Sequence, residues 1–120
     1  MIPLQMRLEE YDDFTIMYMA GSSNAVNKQS EEVINLRNTF KDIPKKGKNK
    51  VIIDLKAVEY LSSNTIGAFL SGNAIMKKEG GKIILCNPSD YIMNIFNIVK
   101  LEQVFTICKT LDEAKIAIKE

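Results

Sequence analysis

Two short apolar runs, separated by a segment of helical length, constrain the fold of this chain more than any other feature of its sequence. The first run is VIIDL at 51–55 and the second is KIILC at 82–86. Runs of this length with almost no polar residue are typical of central strands covered on both faces. The segment between them predicts a helix over 64–79, which Gly80 and Gly81 end. Together the three elements predict a right-handed crossover between two parallel strands.

The segments on either side extend this α/β pattern to the rest of the chain. Leu4, Met6 and Leu8 recur at every second position, and 14–21 alternates in the same way, so the two runs predict an antiparallel hairpin. Three further apolar stripes, at 33–40, 92–99 and 111–118, have helical spacing. One further run, at 103–108, predicts a strand. The predicted order is β-β-α-β-α-β-α-β-α within a single domain, 1–120. Its sheet is expected to be mixed but mostly parallel, with about five strands packed against about four helices.

Helix ends are predicted from the residues that favour them. Pro44 and the lysine-rich loop after it are expected to end the first helix. Asn87 is expected to cap the third helix, with Pro88 at its first position. Thr110 and Glu113 have the spacing of a capping box at the start of the last helix.

Charge and cysteine content exclude several classes of partner. Sixteen basic and fifteen acidic residues leave a formal charge of +1, which gives no electrostatic footprint for nucleic acid. No run approaches the length of a membrane span, so we expect no membrane partner and a cytoplasmic location. Cys86 and Cys108 sit in apolar runs without a CxxC spacing, which favours two core thiols over a disulfide or a metal site.

The chain contains no histidine, which excludes Ser-His and Cys-His catalysis and histidine-ligated metals. The G-x-S-x-G, S-x-x-K and phosphate-binding-loop motifs are absent as well. A serine enzyme would have to pair Ser63 with a lysine such as Lys77, and no spacing places such a base. We therefore predict a protein that is not an enzyme and uses no cofactor or metal.

The turn between the first central strand and its helix reads LSSNTIG, residues 61–67. It lies at the carboxyl end of a parallel strand, where open α/β sheets usually place their sites. Two interpretations of Ser62 and Ser63 remain open and are compatible. In the first interpretation, one of the two serines caps the helix. In the second, one of them is exposed at the start of the helix and accepts a phosphate. Gly67 and Ser71 are small enough to let the helix lie close to a neighbour.

At this point the sequence resembles the STAS domain, the fold of bacterial anti-sigma factor antagonists. VIIDLKAVEYLSSNTIGAFL is similar to the family's buried strand ending in Asp-Leu, followed by Asp-Ser-Ser/Thr-Gly-Leu-Gly and a helix. The segment from GGKIILC to DEAKIAI resembles the second half of the same fold, so the resemblance spans nearly the whole chain.

The resemblance implies a regulator of transcription that binds an anti-sigma factor, itself a serine kinase, and is switched by serine phosphorylation. When the family motif is carried over position by position, the phosphate acceptor falls on Ser63, with Ser62 as the fallback. The loop GSSNAVN resembles a second family motif, which adds Asn24 and Asn27 to the binding surface. The partner-binding residues that the resemblance implies are Asn24, Asn27, Ser62, Ser63, Asn64, Thr65 and Gly67. No nucleic acid takes part, and the chain is expected to be a monomer or a weak dimer.

Four positions depart from the family pattern. Ser62 stands where the family has aspartate, Asn64 where it has serine or threonine, Thr65 where it has glycine, and Asn24 where it has another aspartate. Two carboxylates are thus replaced by neutral groups, and a flexible glycine by a β-branched residue. This leaves an alternative open, in which the chain is a STAS-type scaffold or signalling-complex module whose serine turn is never phosphorylated.

Overall fold

The structure is a computed structural model that describes residues 2–23 and 30–120. Strands and helices alternate in the predicted order, with one additional 3-10 turn before the last strand. The strands are β1 (Gln5–Glu10), β2 (Thr15–Ser22), β3 (Lys50–Tyr60), β4 (Lys82–Cys86) and β5 (Thr106–Cys108). The helices are α1 (Glu31–Lys45), α2 (Ser63–Lys78), α3 (Asp90–Ile98) and α4 (Leu111–Ile118).

The five strands form one sheet in the order β1-β2-β3-β4-β5. β1 pairs with β2 antiparallel, and every later pair is parallel. The predicted hairpin and the predicted parallel crossover are both confirmed, as is the mixed, mostly parallel sheet with four helices. Because each parallel strand runs in the same direction, the turns that follow β3 and β4 lie at the same edge of the sheet.

The two faces of the sheet are covered unequally. A large apolar cluster on one face receives Phe40 from α1, Phe69 from α2 and Phe96 from α3. A smaller cluster on the other face receives Ala114 and Ile118 from α4. This arrangement explains why β3 and β4 are apolar on both sides, and it places the first turns of α1 and α2 side by side.

The second half of β3 is longer than its apolar pattern predicts. The apolar run ends at Leu55, but β3 continues to Tyr60 because it stays paired with β2 up to Ser22. Lys56 and Ala57 are exposed there, so this part of the strand carries no apolar signal in the sequence. The extension brings the end of β3 next to the end of β2.

Three predicted element ends differ from the structure. α1 continues one residue past Pro44, which lies in its last turn. Ser89, not Asn87, caps α3, because Asn87 adopts a left-handed backbone with φ of 57° and its side chain turns to Asp54. The strand predicted over 103–108 is shortened to β5, since 101–103 forms the 3-10 turn. At the predicted capping box of α4, Thr110 Oγ1 accepts from the Glu113 amide at 3.1 Å, while the Glu113 carboxylate accepts from the Lys109 amide, one residue before the cap, at 3.2 Å.

Candidate functional site

The two serines of the turn before α2 have different surroundings. Ser62 is the N-cap of α2, and its Oγ accepts a hydrogen bond from the Thr65 amide at 3.3 Å. Only 7% of Ser62 is exposed. Ser63 is the first residue of the helix and is exposed. The sequence left open which serine caps the helix and which is exposed. In the structure Ser62 is the cap and Ser63 is exposed.

Ser62 belongs to a buried group of three hydroxyls, which we call the hydroxyl cluster and define as Ser23, Ser62 and Thr65. Ser62 Oγ lies 3.0 Å from Ser23 Oγ and 3.2 Å from Thr65 Oγ1, and Ser23 Oγ also contacts Thr65 Oγ1. Ser23 and Thr65 are fully buried. The extended pairing of β2 and β3 explains the cluster, because the Ser23 amide bonds the Tyr60 carbonyl at 2.9 Å.

A carboxylate at the edge of the hydroxyl cluster offers the Ser23 hydroxyl an acceptor outside the cluster. Ser23 Oγ lies 3.1 Å from Glu32 Oε1, to which it donates when that carboxylate is ionised. The oxygen of Ser23 can then accept protons only from Ser62 and Thr65, and it has two lone pairs to do so. Each hydroxyl proton of the cluster thus has one acceptor, and the buried polar atoms are satisfied without a buried charge.

The hydroxyl cluster gives a physical account of two departures from the STAS pattern. Ser62 and Thr65 replace the family's aspartate and glycine, and their side chains contact each other. A carboxylate at position 62 would be buried and separated from the Glu32 carboxylate by the Ser23 hydroxyl alone. The Thr65 hydroxyl fills space that a glycine would leave empty. The two substitutions therefore form one neutral hydrogen-bonded unit.

The predicted partner-binding residues divide into outward and inward groups. Ser63 is exposed, while Asn64 and Gly67 are half-buried. Ser62 and Thr65 face inward, so they shape the turn without forming its surface. Asn24 and Asn27 lie outside the described residues.

Sequence reasoning missed two residues that hold the turn in place, Ser23 and Glu32. Both come from the segment before β3 in the chain, about forty positions away from the turn in the case of Ser23. Their only signal was the polar stretch 22–32, which has no spacing that relates it to 62–65. The structure shows their role because the end of β2 lies against the end of β3.

α1 packs closely on α2 beside this turn. Gly72 allows the approach, because a Cβ there would lie 2.6 Å from the ring of Phe40. Arg37 Nη1 donates to Ser71 Oγ at 2.8 Å, and a Cβ added to Gly67 would lie 3.9 Å from Arg37 Nη2. Of the small residues predicted to let α2 approach a neighbour, Ser71 contacts α1, but the close approach depends on Gly72 and not on Gly67, where a Cβ would fit.

The site offers little for covalent or metal chemistry. Lys77 lies in the last turn of α2, about 20 Å from Ser63 at 1.5 Å per residue, so it cannot act as its base. Burial raises the pKa of Cys86 to about 12, which keeps it a thiol at neutral pH, and burial also raises the pKa of Cys108. In the described part of the chain, no group of three cysteine or acidic side chains could hold a metal ion. Within the same residues, no helix is long and apolar enough to cross a membrane.

Comparison with known proteins agrees with this architecture. The STAS domain family matches residues 5–114, and the chain therefore belongs to that family. BtrV of Bordetella bronchiseptica, provisionally named as an anti-sigma factor antagonist, is 21% identical over 116 residues, covering 97% of this chain and 96% of the relative. The resemblance stated from the sequence motifs is thus confirmed for family and fold.

Two solved structures share the fold. The crystal structure of an anti-sigma factor antagonist from Mycobacterium paratuberculosis superposes with a TM-score of 0.81 at 19% identity, covering 98% of this chain and 95% of that one. The Bacillus cell fate determinant SpoIIAA in its phosphorylated form gives a TM-score of 0.70 at 17% identity, covering 95% and 99%. Anti-sigma factor antagonists of this family are non-enzymatic regulators, in agreement with the sequence prediction that this chain is not an enzyme.

Proposed function

We propose that this protein is an anti-sigma factor antagonist that binds a cognate anti-sigma serine kinase and is released when Ser63 is phosphorylated. The chain, 1–120, would act in the cytoplasm as one STAS-like domain, as a monomer or weak dimer. The binding surface is proposed to comprise the exposed part of the turn before α2, Ser63, Asn64 and Gly67, together with Asn24 and Asn27.

One observation supports the choice of Ser63 over the fallback, Ser62. Ser63 is exposed at the start of α2, whereas the Ser62 hydroxyl is buried and already bonded to Ser23 and to the Thr65 amide. A kinase needs the acceptor oxygen to reach the γ-phosphate of ATP. Phosphorylation of Ser62 would require the hydroxyl cluster to open first, whereas Ser63 needs no such change.

The physical effect of a phosphate at this position is large enough to act as a switch. It brings nearly two negative charges and three acceptor oxygens to a helix turn that carries no acidic residue of its own. A partner surface that fits the neutral serine would have to bury an unmatched dianion. A cost of about 4 kcal/mol weakens binding about a thousandfold.

A second candidate function is supported by the hydroxyl cluster itself. Because Ser62 and Thr65 replace the aspartate and glycine of the family pattern, the turn differs from the one that the family's kinases phosphorylate. In this candidate the chain is a scaffold or signalling-complex module, and Ser63 stays unmodified.

Incubation with the candidate kinase and ATP separates the two functions. Intact-mass analysis and site mapping are done on the wild type, Ser63→Ala and Ser89→Ala. Ser89 is the matched control, because it is an exposed serine at the start of the neighbouring helix. One phosphate is expected on the wild type and on Ser89→Ala, and none on Ser63→Ala. Binding of the kinase without any phosphate transfer would favour the scaffold.

A further inference from the structure

The guanidinium group of Arg37 lies over the first half of α2. Its Nη1 donates to Ser71 Oγ at 2.8 Å, and its Nη2 points to Gly67, where an added Cβ would be 3.9 Å away. Side chains on a helix lean towards its N-terminus, so the Ser71 hydroxyl holds the guanidinium over the turn that contains Gly67. Arg37 is half-buried between the two helices and is fixed in this place by α1.

Ser63 is the next residue on the same stripe of the helix. Ser63, Gly67 and Ser71 are spaced four apart, and residues at this spacing are neighbours separated by about 6 Å along the axis. Gly67 contributes no side chain between Arg37 and Ser63. A phosphate on Ser63 would lie on the N-terminal side of Gly67, and a rotation of the Arg37 side chain away from Ser71 and across Gly67 would bring the two groups into contact.

Arg37 has a neutral partner and a full charge. Within residues 2–23 and 30–120 the ion pairs involve Arg7, Lys45 and Lys46, and none involves Arg37. Beside the turn before α2, the carboxylate of Glu32 bonds the Ser23 hydroxyl. A phosphate on Ser63 would be repelled by Glu32 and attracted by Arg37. Arginine is suited to phosphate because its planar fork can donate two parallel bonds.

We propose that Arg37 is the internal binding partner of a phosphate on Ser63, exchanging its bond with Ser71 for a charge-assisted bond to the phosphate. This inference rests on the proposed phosphorylation of Ser63. It adds a second event to the switch, because the guanidinium leaves the Ser71 side of the groove between α1 and α2 when the phosphate arrives. The surface presented to a partner then changes in shape as well as in charge.

The inference is tested on protein that carries phosphoserine at position 63, installed during synthesis by genetic-code expansion, so that no kinase is needed. The second ionisation of the phosphate is followed by phosphorus NMR during a pH titration. Three forms are compared, each with phosphoserine at 63: the otherwise unchanged chain, Arg37→Gln and Arg7→Gln. Arg7 is the matched control, because its removal changes the net charge equally and it lies on β1 over the ring of Tyr18.

The phosphate pKa is expected to rise by about 0.5 units or more in Arg37→Gln, because a nearby cation favours the dianion. It is expected to stay unchanged in Arg7→Gln. The difference should shrink in 1 M salt, where the screening length falls to about 3 Å. Equal phosphate pKa values in Arg37→Gln and Arg7→Gln overturn the inference.

A second variant keeps the test decisive if Arg37→Gln fails to fold. Ser71→Ala removes the resting partner of Arg37 and leaves its charge, so the phosphate pKa is expected to fall; an unchanged or raised pKa would contradict the inference. The kinase experiment above decides the proposed function separately. If no kinase modifies the chain but the pKa of the installed phosphate depends on Arg37, the inferred phosphate-binding role of Arg37 stands and the proposed phosphorylation switch is wrong.

Discussion

The turns that lead from β3 to α2 and from β4 to α3 are built alike and surrounded differently. Each follows a buried parallel strand, and each has a serine N-cap, with Ser62 accepting from the Thr65 amide and Ser89 from the Ile92 amide at 3.1 Å. Ser62 is buried and Ser89 is exposed. A serine N-cap is therefore buried in one turn and exposed in the other.

The difference arises from neighbouring strands, not from the turns themselves. β3 continues beyond its last pair with β4, at Asp54, and runs beside β2 to Tyr60, which brings Ser23 against Ser62. β4 ends where its pairing with β5 ends, at Cys86, and among the described residues no strand end is paired beside Ser89 in the same way. Because Ser62 is buried against Ser23, Ser63 is the exposed hydroxyl of the first turn. The length of β3 therefore decides which of Ser62 and Ser63 is available to a partner.

The largest expected effect is on partner binding. Ser63→Asp places a negative charge in the proposed interface and is expected to weaken binding of the anti-sigma kinase about a hundredfold or more, while Ser63→Ala binds as the unmodified protein does. Ser89→Asp, the equivalent change in the other turn, is expected to leave the affinity unchanged. Isothermal titration calorimetry measures all three. Equal affinities of Ser63→Asp and Ser63→Ala would exclude Ser63 as the switch.

The next largest effect is on stability. Ser62→Asp puts a second carboxylate close to Glu32 and is expected to lower the free energy of unfolding by about 3 kcal/mol at pH 7, whereas Ser89→Asp stays within about 0.5 kcal/mol because aspartate is also a good cap. Burial and Glu32 would raise the pKa of the new carboxyl in the folded state. The loss at pH 7 should therefore diminish as the pH falls through that pKa. Urea unfolding at pH 7 and pH 4.5 tests this, and a pH-independent loss would contradict the electrostatic cause.

Removing the two cap hydroxyls separates capping from burial. Ser89→Ala loses one exposed cap and is expected to cost about 1 kcal/mol. Ser62→Ala removes the partner of the Thr65 amide, which is buried, and one of the two hydroxyls that contact Ser23, so about 2–3 kcal/mol is expected. The measurement is urea unfolding of both variants under one set of conditions. Equal losses would mean that the hydroxyl cluster adds nothing to the cap.

The smallest expected effect concerns the backbone of the second turn. Asn87 has a positive φ and donates from its side chain to Asp54 at 3.1 Å. Asn87→Gly loses the hydrogen bond but suits the backbone, and Asn87→Ala loses the bond and adds strain. Thermal unfolding should place Asn87→Ala about 1 kcal/mol below Asn87→Gly. The opposite order would contradict a controlling role of the left-handed backbone in this turn.

Most of the fold was predictable because its signals are local. Period-two alternation in β1 and β2, apolar runs in β3 and β4, and the capping box of α4 each lie within a few residues of one another. The errors come from contacts between distant segments. Exposed residues such as Lys56 and Ala57 hide the length of β3, and the side-chain bond to Asp54 that accompanies the left-handed backbone of Asn87 cannot be seen from the turn alone.

The site was predictable in position and not in detail. The helix start and the pair Ser62 and Ser63 could be read from residue types, but which serine faces outward depends on Ser23 and Glu32, which approach from another part of the chain. Arg37 gave no signal either, since α1 reaches α2 only in the folded protein. Side chains that meet across elements require the packing of those elements to be known.

The order of strands in the sheet is the same as their order along the chain. During synthesis each new strand can therefore pair with one that has already left the ribosome, and no gap has to be kept open for a later insertion. The sheet can grow from one edge to the other as translation proceeds. A nascent chain stalled after α2 would already contain β1, β2, β3 and the whole β3–α2 turn.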